Sequence, residues 1–232
     1  MSGFLNRREA GRALADALVA KNYRDPVVLA LPRGGVPIGI EVARALKAPL
    51  DLVMVRKIGV PYQPELAAAA VVNGDDPQLV VNESIAAQAG LSRDDLDHLA
   101  KKQLAEITRR RGIYLKGRKQ ISVEGRTAIV VDDGIATGAT VRASLKAVRR
   151  WNPERLVLAV PVAPADTIAS LRAEVDDIVC IETPEVFYAI GAHYVNFSQV
   201  SDDEVVRLLD EAERMLQEHL QAGEEAGEQS SE

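Results

Sequence analysis

The chemistry in this sequence is concentrated between Ala128 and Thr140. The run reads Ala128-Ile129-Val130-Val131, then Asp132-Asp133, then Gly134-Ile135-Ala136-Thr137-Gly138-Ala139-Thr140. Four apolar residues describe a buried strand. The two adjacent carboxylates that follow are acceptors for hydroxyl groups and hard donors for a divalent cation. The small residues after them let backbone N–H groups approach an anion closely. Two threonine hydroxyls add donors, and the start of the next helix adds positive potential. A phosphate alone would be repelled by the aspartates. A ligand with a phosphate, a neighbouring diol and a metal satisfies every group, and a sugar phosphate has that form. Capping of the next helix would need one acceptor, not this whole constellation.

Other phosphate motifs are missing. No G-x-x-x-x-G-K-[ST] is present, and Gly34-Gly35-Val36-Pro37-Ile38-Gly39 lacks G-x-G-x-x-G spacing. Arg33-Gly34-Gly35 and Arg56-Lys57 each follow an apolar run, so both are cationic candidates for an anionic ligand. In isolation Arg56-Lys57 reads as a surface pair closing a strand; beside the acid motif it reads as a ligand pair. Phe187 and Tyr188 could stack on a planar acceptor or serve as core. His193 reads as structural, and His98 and His219 as solvated. No Cys/His spacing suggests zinc.

These residues need a frame that brings distant segments together. Val27–Leu31, Leu50–Val55, Thr127–Val131, Arg155–Val160 and Ile178–Ile181 are short apolar runs. Helical patterns over 3–21, 36–47, 139–150 and 165–173 alternate with them. That rhythm predicts a parallel sheet covered on both faces. Between them, Arg56–Glu65 carries Gly59, Pro61 and Pro64 and reads as a loop. Leu66–Asn73 and Leu79–Asn82 read as short strands around a Gly74-Asp75-Asp76-Pro77 turn. Ser92–Arg111 reads as a long polar helix that Ser92 and Asp95 cap. Its Lys101, Lys102, Arg109, Arg110 and Arg111 read as a solvated face, not a nucleic-acid patch. Ser201 and Glu204 open a last helix. A single domain over 1–220 and a disordered acidic tail over 221–232 are expected.

Composition narrows the function class. The 232 residues are 47% hydrophobic and 27% charged, an ordinary globular mixture. The net charge of −6 argues against a nucleic-acid partner held through phosphates. No apolar run approaches a membrane span. The single cysteine, Cys180, excludes an internal disulfide framework and fits a reducing, cytoplasmic setting. It reads as a buried small hydrophobe.

Residues 128–140 resemble the 5-phosphoribosyl 1-pyrophosphate (PRPP) motif of type I phosphoribosyltransferases. The resemblance covers about residues 5–215. It is nearest to a bacterial group of unassigned acceptor that shares L-P-R-G-G, R-K-I-G-x-P, D-D-G-I-A-T-G-A-T and P-V-A-P, all present here. It implies an α/β fold with a central parallel sheet flanked by helices, a flap over about 57–70 and a small C-terminal hood over about 182–200. It implies that Asp132 and Asp133 bind the ribose hydroxyls and hold Mg²⁺ through water. Gly134, Ile135, Ala136, Thr137, Gly138, Ala139 and Thr140 would cradle the 5′-phosphate. Arg33, Gly34 and Gly35 would form the pyrophosphate loop, with a non-proline cis peptide near Arg33. Arg56 and Lys57, ending the next strand, would reach the pyrophosphate. Phe187 and Tyr188 would face the acceptor. On this basis Asp132, Asp133, Arg33 and Lys57 are the catalytic candidates.

The implied reaction is Mg²⁺-dependent transfer of 5-phosphoribosyl from PRPP to a nitrogenous, nucleobase-like acceptor, with release of pyrophosphate. Many relatives are homodimers. Relatives acting on 6-oxopurines carry Asp where Ala136 stands, whereas adenine- and orotate-using relatives carry Ala. The related group often has a glycine within the segment matching Ala67–Ala70, which here is all alanine. Two other readings remain open: a PRPP- or nucleotide-binding regulatory module, and a phosphoribosyl-handling hydrolase or phosphorylase.

Overall fold

The computed structural model describes residues 3–60, 63–72 and 78–229. In chain order the elements are α1 (Arg7–Val19), β1 (Pro26–Ala30), α2 (Gly35–Leu46), β2 (Leu50–Leu52), β3 (Val55–Val60), β4 (Gln63–Val72) and β5 (Gln78–Val81). Then follow α3 (Glu83–Gln88), α4 (Arg93–Leu115), β6 (Thr127–Val131), α5 (Ala139–Arg150), β7 (Arg155–Val162), α6 (Ala165–Leu171), β8 (Asp177–Glu182) and α7 (Asp202–Gln229). A five-stranded parallel sheet has the order β2-β1-β6-β7-β8.

Strand residues alternate between two cores, as the pleat requires. Ile129 and Val131 join Val28 and Ala30 against α1, α2 and α7, while Ala128 and Val130 join Val27 and Leu29 against α5. Burial on both faces accounts for the continuous apolar runs. From β1 the chain winds to β2 on one side; from β6 it winds to β7 and β8 on the other. The winding therefore reverses between β1 and β6. A crevice opens at the carboxyl ends of such a pair, and ligands of open α/β sheets bind there.

Two sequence expectations need correction. The expected Arg56–Glu65 loop is largely strand: β3, β4 and β5 form a separate antiparallel sheet in that order. The breaker Gly59 lies at a register shift between β3 and β4, where a bulge accommodates it. The expected strand Leu50–Val55 is accordingly split into β2 and the start of β3. Second, α7 continues to Gln229, past the expected disordered boundary at Gln221. Its Glu- and Ala-containing end favours helix. The Gly74–Pro77 turn lies outside the described residues.

Capping follows the sequence closely. Ser92 and Asp95 form a reciprocal capping box on α4, and the Ser201 hydroxyl accepts the Glu204 N–H at 3.1 Å. Among the described residues, no helix is long and apolar enough to cross a membrane.

The site depends on how closely α2 lies on the sheet. A β-carbon on Gly39 would stand 3.0 Å from Leu50 Cδ1, 3.1 Å from Ala30 Cβ and 3.2 Å from Val131 Cγ2. Gly39→Val should overpack this contact and destabilise the fold by roughly 1–3 kcal/mol. Urea unfolding should show a lower midpoint with an unchanged slope; an unchanged midpoint would contradict the packing.

Candidate functional site

Two loops meet at the β1/β6 crevice. The first leaves β1 as Leu31-Pro32-Arg33-Gly34-Gly35 and starts α2. The Leu31 N–H donates to Val131 O at 3.0 Å, tying this loop to the end of β6. The Pro32–Arg33 peptide is cis, at the place where the resemblance located one. The second loop carries Asp132 and Asp133 off β6 and reaches α5 through residues 134–138.

The contact between the loops explains their glycines. A β-carbon on Gly34 would lie 2.0 Å from Asp133 Oδ2, and one on Gly35 would lie 2.7 Å from Val131 O. Only a residue with a bare α-carbon fits at either place. The Gly35 N–H donates to Leu31 O at 3.0 Å, so its structural contribution is close approach.

The acid pair is electrostatically costly. Asp133 is buried and Asp132 half-buried. Burial, and then the neighbouring Asp133 charge, push the Asp132 carboxyl well above the usual carboxylate range. Burial also raises Asp133, opposed by the Arg7 guanidinium. Arg7 Nε donates to Asp133 Oδ2 at 2.7 Å, and the Tyr194 hydroxyl donates to Asp133 O at 2.6 Å.

Beyond the acids the loop is built to present backbone. Gly138 is the N-cap of α5, with a φ of 75° that L side chains rarely adopt. The Thr167 hydroxyl donates to Ala136 O at 2.9 Å, and Ile135 N–H donates to Val162 O at 3.0 Å. These bonds brace the loop from α6 and β7. Ala136 and Thr137 remain exposed, in front of the first turn of α5. That turn carries free N–H donors and positive potential, which suits an anion.

The structure thus brings Arg33, Gly34, Gly35 and residues 132–140 into one crevice. Arg33 is held at its rim: Nη1 lies 3.6 Å from Asp202 Oδ1, which also accepts the Tyr114 hydroxyl at 2.6 Å. The other candidates sit on separate elements. Arg56 and Lys57 do not end the second parallel strand, because β2 stops at Leu52. They belong to β3, opposite Val71 and Ala70. Arg56 Nε donates to Gln103 Oε1 on α4 at 3.3 Å. Phe187 stacks on His193 with ring centroids 5.2 Å apart and packs against the core, whereas Tyr188 is 88% exposed. Cys180 is a partly buried thiol, pushed up to about 11 by burial. Arg7, Tyr194 and Asp202 are not among the site residues the sequence pointed to, because no local pattern marks their contacts with Asp133 and Arg33.

The architecture now has a family. A model described as a phosphoribosyl transferase domain matches residues 5–197. The chain belongs to that family. It is 46% identical over 214 residues to curated relatives from two strains of Mycobacterium tuberculosis, which carry a provisional phosphoribosyl transferase name. The match spans 92% of this chain and 48% of those relatives, so the chain covers about half their length. It is also similar to the crystal structure of TT1426 from Thermus thermophilus. That similarity has 39% identity and a TM-score of 0.80, covering 89% of this chain and 97% of that one.

The raised Asp132 carboxyl has a measurable consequence. Below about pH 4 both folded and unfolded chains hold this proton, and the group costs nothing. As pH rises through the elevated folded value, the unfolded chain ionises more readily, so folded stability falls. Asp132→Asn removes the charge that must be buried. The unliganded variant should melt higher than the parent at neutral pH and lose less stability as pH rises from 4 to 7. A lower melting temperature at pH 7 would overturn this electrostatic picture.

Proposed function

We propose that this chain transfers 5-phosphoribosyl from PRPP to a nitrogenous, nucleobase-like acceptor and releases pyrophosphate. The observation that carries the reading is the meeting of the Arg33-Gly34-Gly35 loop with the Asp132–Thr140 loop at the sheet's switch point. A ligand with phosphates at both ends and a diol between them matches that arrangement. The 5′-phosphate would lie on residues 134–140 at the α5 N-terminus. The ribose hydroxyls would donate to the acid pair, with Asp132 facing them. The pyrophosphate would lie over the Arg33 loop, where a guanidinium stabilises departing charge.

The acid pair fits Mg²⁺ in the chemistry of its donors: two adjacent carboxylates raised by burial, Asp132 also by the Asp133 charge, would be relieved by a cation. Among the described residues no cluster of three or more His, Cys, Asp or Glu side chains could hold a metal, so PRPP and water would complete its shell. Bound Mg²⁺ supplies positive charge to a leaving group that carries several negative ones. The chain's own residues orient the ribose between the two loops and keep its anionic ends apart. A closed flap would exclude water from the electron-deficient ribosyl carbon. The flap assigned to about 57–70 corresponds to β3 and β4, with residues 61 and 62 outside those described. Ala136 offers no proton chemistry to an acceptor, which favours acceptors other than 6-oxopurines. The curated relatives' length beyond the match leaves room for further functions there.

The test is calorimetric titration with PRPP and Mg²⁺, followed by a panel of nitrogenous bases scored for pyrophosphate release. Base-dependent release establishes transfer. Binding without release favours a regulatory module, and no binding overturns the assignment. Within this assay Arg33→Ala should weaken pyrophosphate by roughly 10- to 100-fold, with a much smaller effect on ribose 5-phosphate. Equal losses for both ligands would remove Arg33 from the pyrophosphate site.

A further inference from the structure

Arg7 has no part in the roles above, yet its side chain reaches the acid pair. It is the first residue of α1, and only 12% of the side chain is exposed. Its placement begins with the backbone. The Phe4 N–H donates to His193 O at 2.9 Å, Val195 N–H to Phe4 O at 2.9 Å, and Asn196 N–H to Leu5 O at 2.9 Å. This short ladder aligns the N-terminal segment with residues 193–196. Asn6 then caps α1, its Oδ1 accepting the Glu9 N–H at 3.0 Å.

The ladder and the cap direct Arg7 to three partners. Nε donates to Asp133 Oδ2 at 2.7 Å and Nη1 donates to Ser198 O at 2.8 Å. The guanidinium lies 3.8 Å from the centre of the Phe197 ring. Asp133 is gripped a second time from the same segment, where the Tyr194 hydroxyl donates to its backbone oxygen. An exposed ion pair has little effect, because two mobile side chains must be ordered in water. Here both side chains are nearly covered, and the guanidinium is fixed by a ring and a carbonyl on one side. A planar fork is suited to this double duty; an ammonium is not.

We propose that Arg7 is a positioning residue of the site: it holds Asp133 against Gly34 and couples the 193–198 segment to the acid pair, leaving Asp132 as the carboxylate that faces the ligand. The ribose side of this proposal rests on the function proposed above. The anchoring contact does not.

The two parts are tested separately. Thermal unfolding without ligand is measured for the parent, Arg7→Gln, Asp133→Asn and the double variant. Arg7→Gln should lower the melting temperature more when residue 133 is charged than in the Asp133→Asn background, where only the Ser198 and Phe197 contacts are lost. Equal effects in both backgrounds overturn the anchoring contact. Titrations then compare ribose 5-phosphate, inorganic pyrophosphate and PRPP, each with Mg²⁺. Arg7→Gln should weaken ribose 5-phosphate and PRPP by roughly 10- to 100-fold while leaving pyrophosphate within about twofold. Arg7→Lys, which keeps the charge without the fork, should recover part of the loss and serves if the glutamine variant does not fold. Equal weakening of all three ligands would mean a merely structural residue and overturn the positioning role. A parent chain that binds none of them overturns the transferase reading, and the unfolding comparison then decides the anchoring role alone.

Discussion

Two neighbouring carboxylates at the end of a buried strand set the terms for the rest of this structure. Ionised carboxyls that share a covered site repel each other and lack water to disperse their charge. The surroundings are shaped accordingly. Gly34 and Gly35 lack side chains because the Asp133 carboxylate and the Val131 carbonyl occupy the space that a β-carbon would take. Arg7 pairs directly with Asp133, and its charge acts on Asp132 too weakly to offset burial and the neighbouring Asp133 charge. A sequence chosen for stability alone would not keep Asp132. A cation and a diol bound there, as proposed above, would offset that cost, and stability is commonly conceded at binding sites.

The antiparallel sheet bears on the opposite end of the crevice. It stands apart from the parallel sheet and packs on α4 and α5. Between it and α5 lies a cleft of about 610 Å³, walled by Ala69, Ala70 and Val81 on one side and by Thr137, Ala139 and Arg142 on the other. Thr137 and Ala139 belong to the segment that leads from the acid pair into α5, so the antiparallel sheet and that segment share a boundary. Alanines along β4 permit that close approach without the backbone freedom glycine would introduce. Arg56 ties the antiparallel sheet to α4 through Gln103.

Where local pattern carried the information, sequence and structure agree. Residues 127–131 and 139–150 take the expected strand and helix, because a fully apolar run and an amphipathic period are unambiguous there. The acid pair and the glycine loop were legible for a similar reason: their residue types are unusual for any purely structural task. The Arg56–Glu65 segment was misread because Gly59 and two prolines look like breakers, while the accommodation of Gly59 depends on a partner strand. Arg7 and Asp133 lie 126 positions apart, and Tyr194 and Asp133 lie 61 apart. No local spacing encodes such pairs. They arise only when the N-terminal segment zips onto residues 193–196, a tertiary event.

Tertiary contacts of this kind give the crevice its charge pattern. Arg7 pairs with Asp133 on one loop, and Arg33 pairs with Asp202 at the start of α7 on the other. Each ligand-facing loop thus has one charge already answered by the 193–202 stretch or the N-terminus beside it. An incoming polyanion must exchange with these pairs, so its net gain from side-chain charges is a difference between two favourable arrangements. The start of α5 is under no such exchange. Its first-turn N–H groups and dipole are fixed by the helix itself, and the Gly138 cap keeps bulk away from them. On the proposed function, a 5′-phosphate there would be the part of the ligand whose recognition is least altered by rearrangement of neighbouring side chains, and the diol and pyrophosphate would meet the acids and Arg33 only by exchange with their present partners.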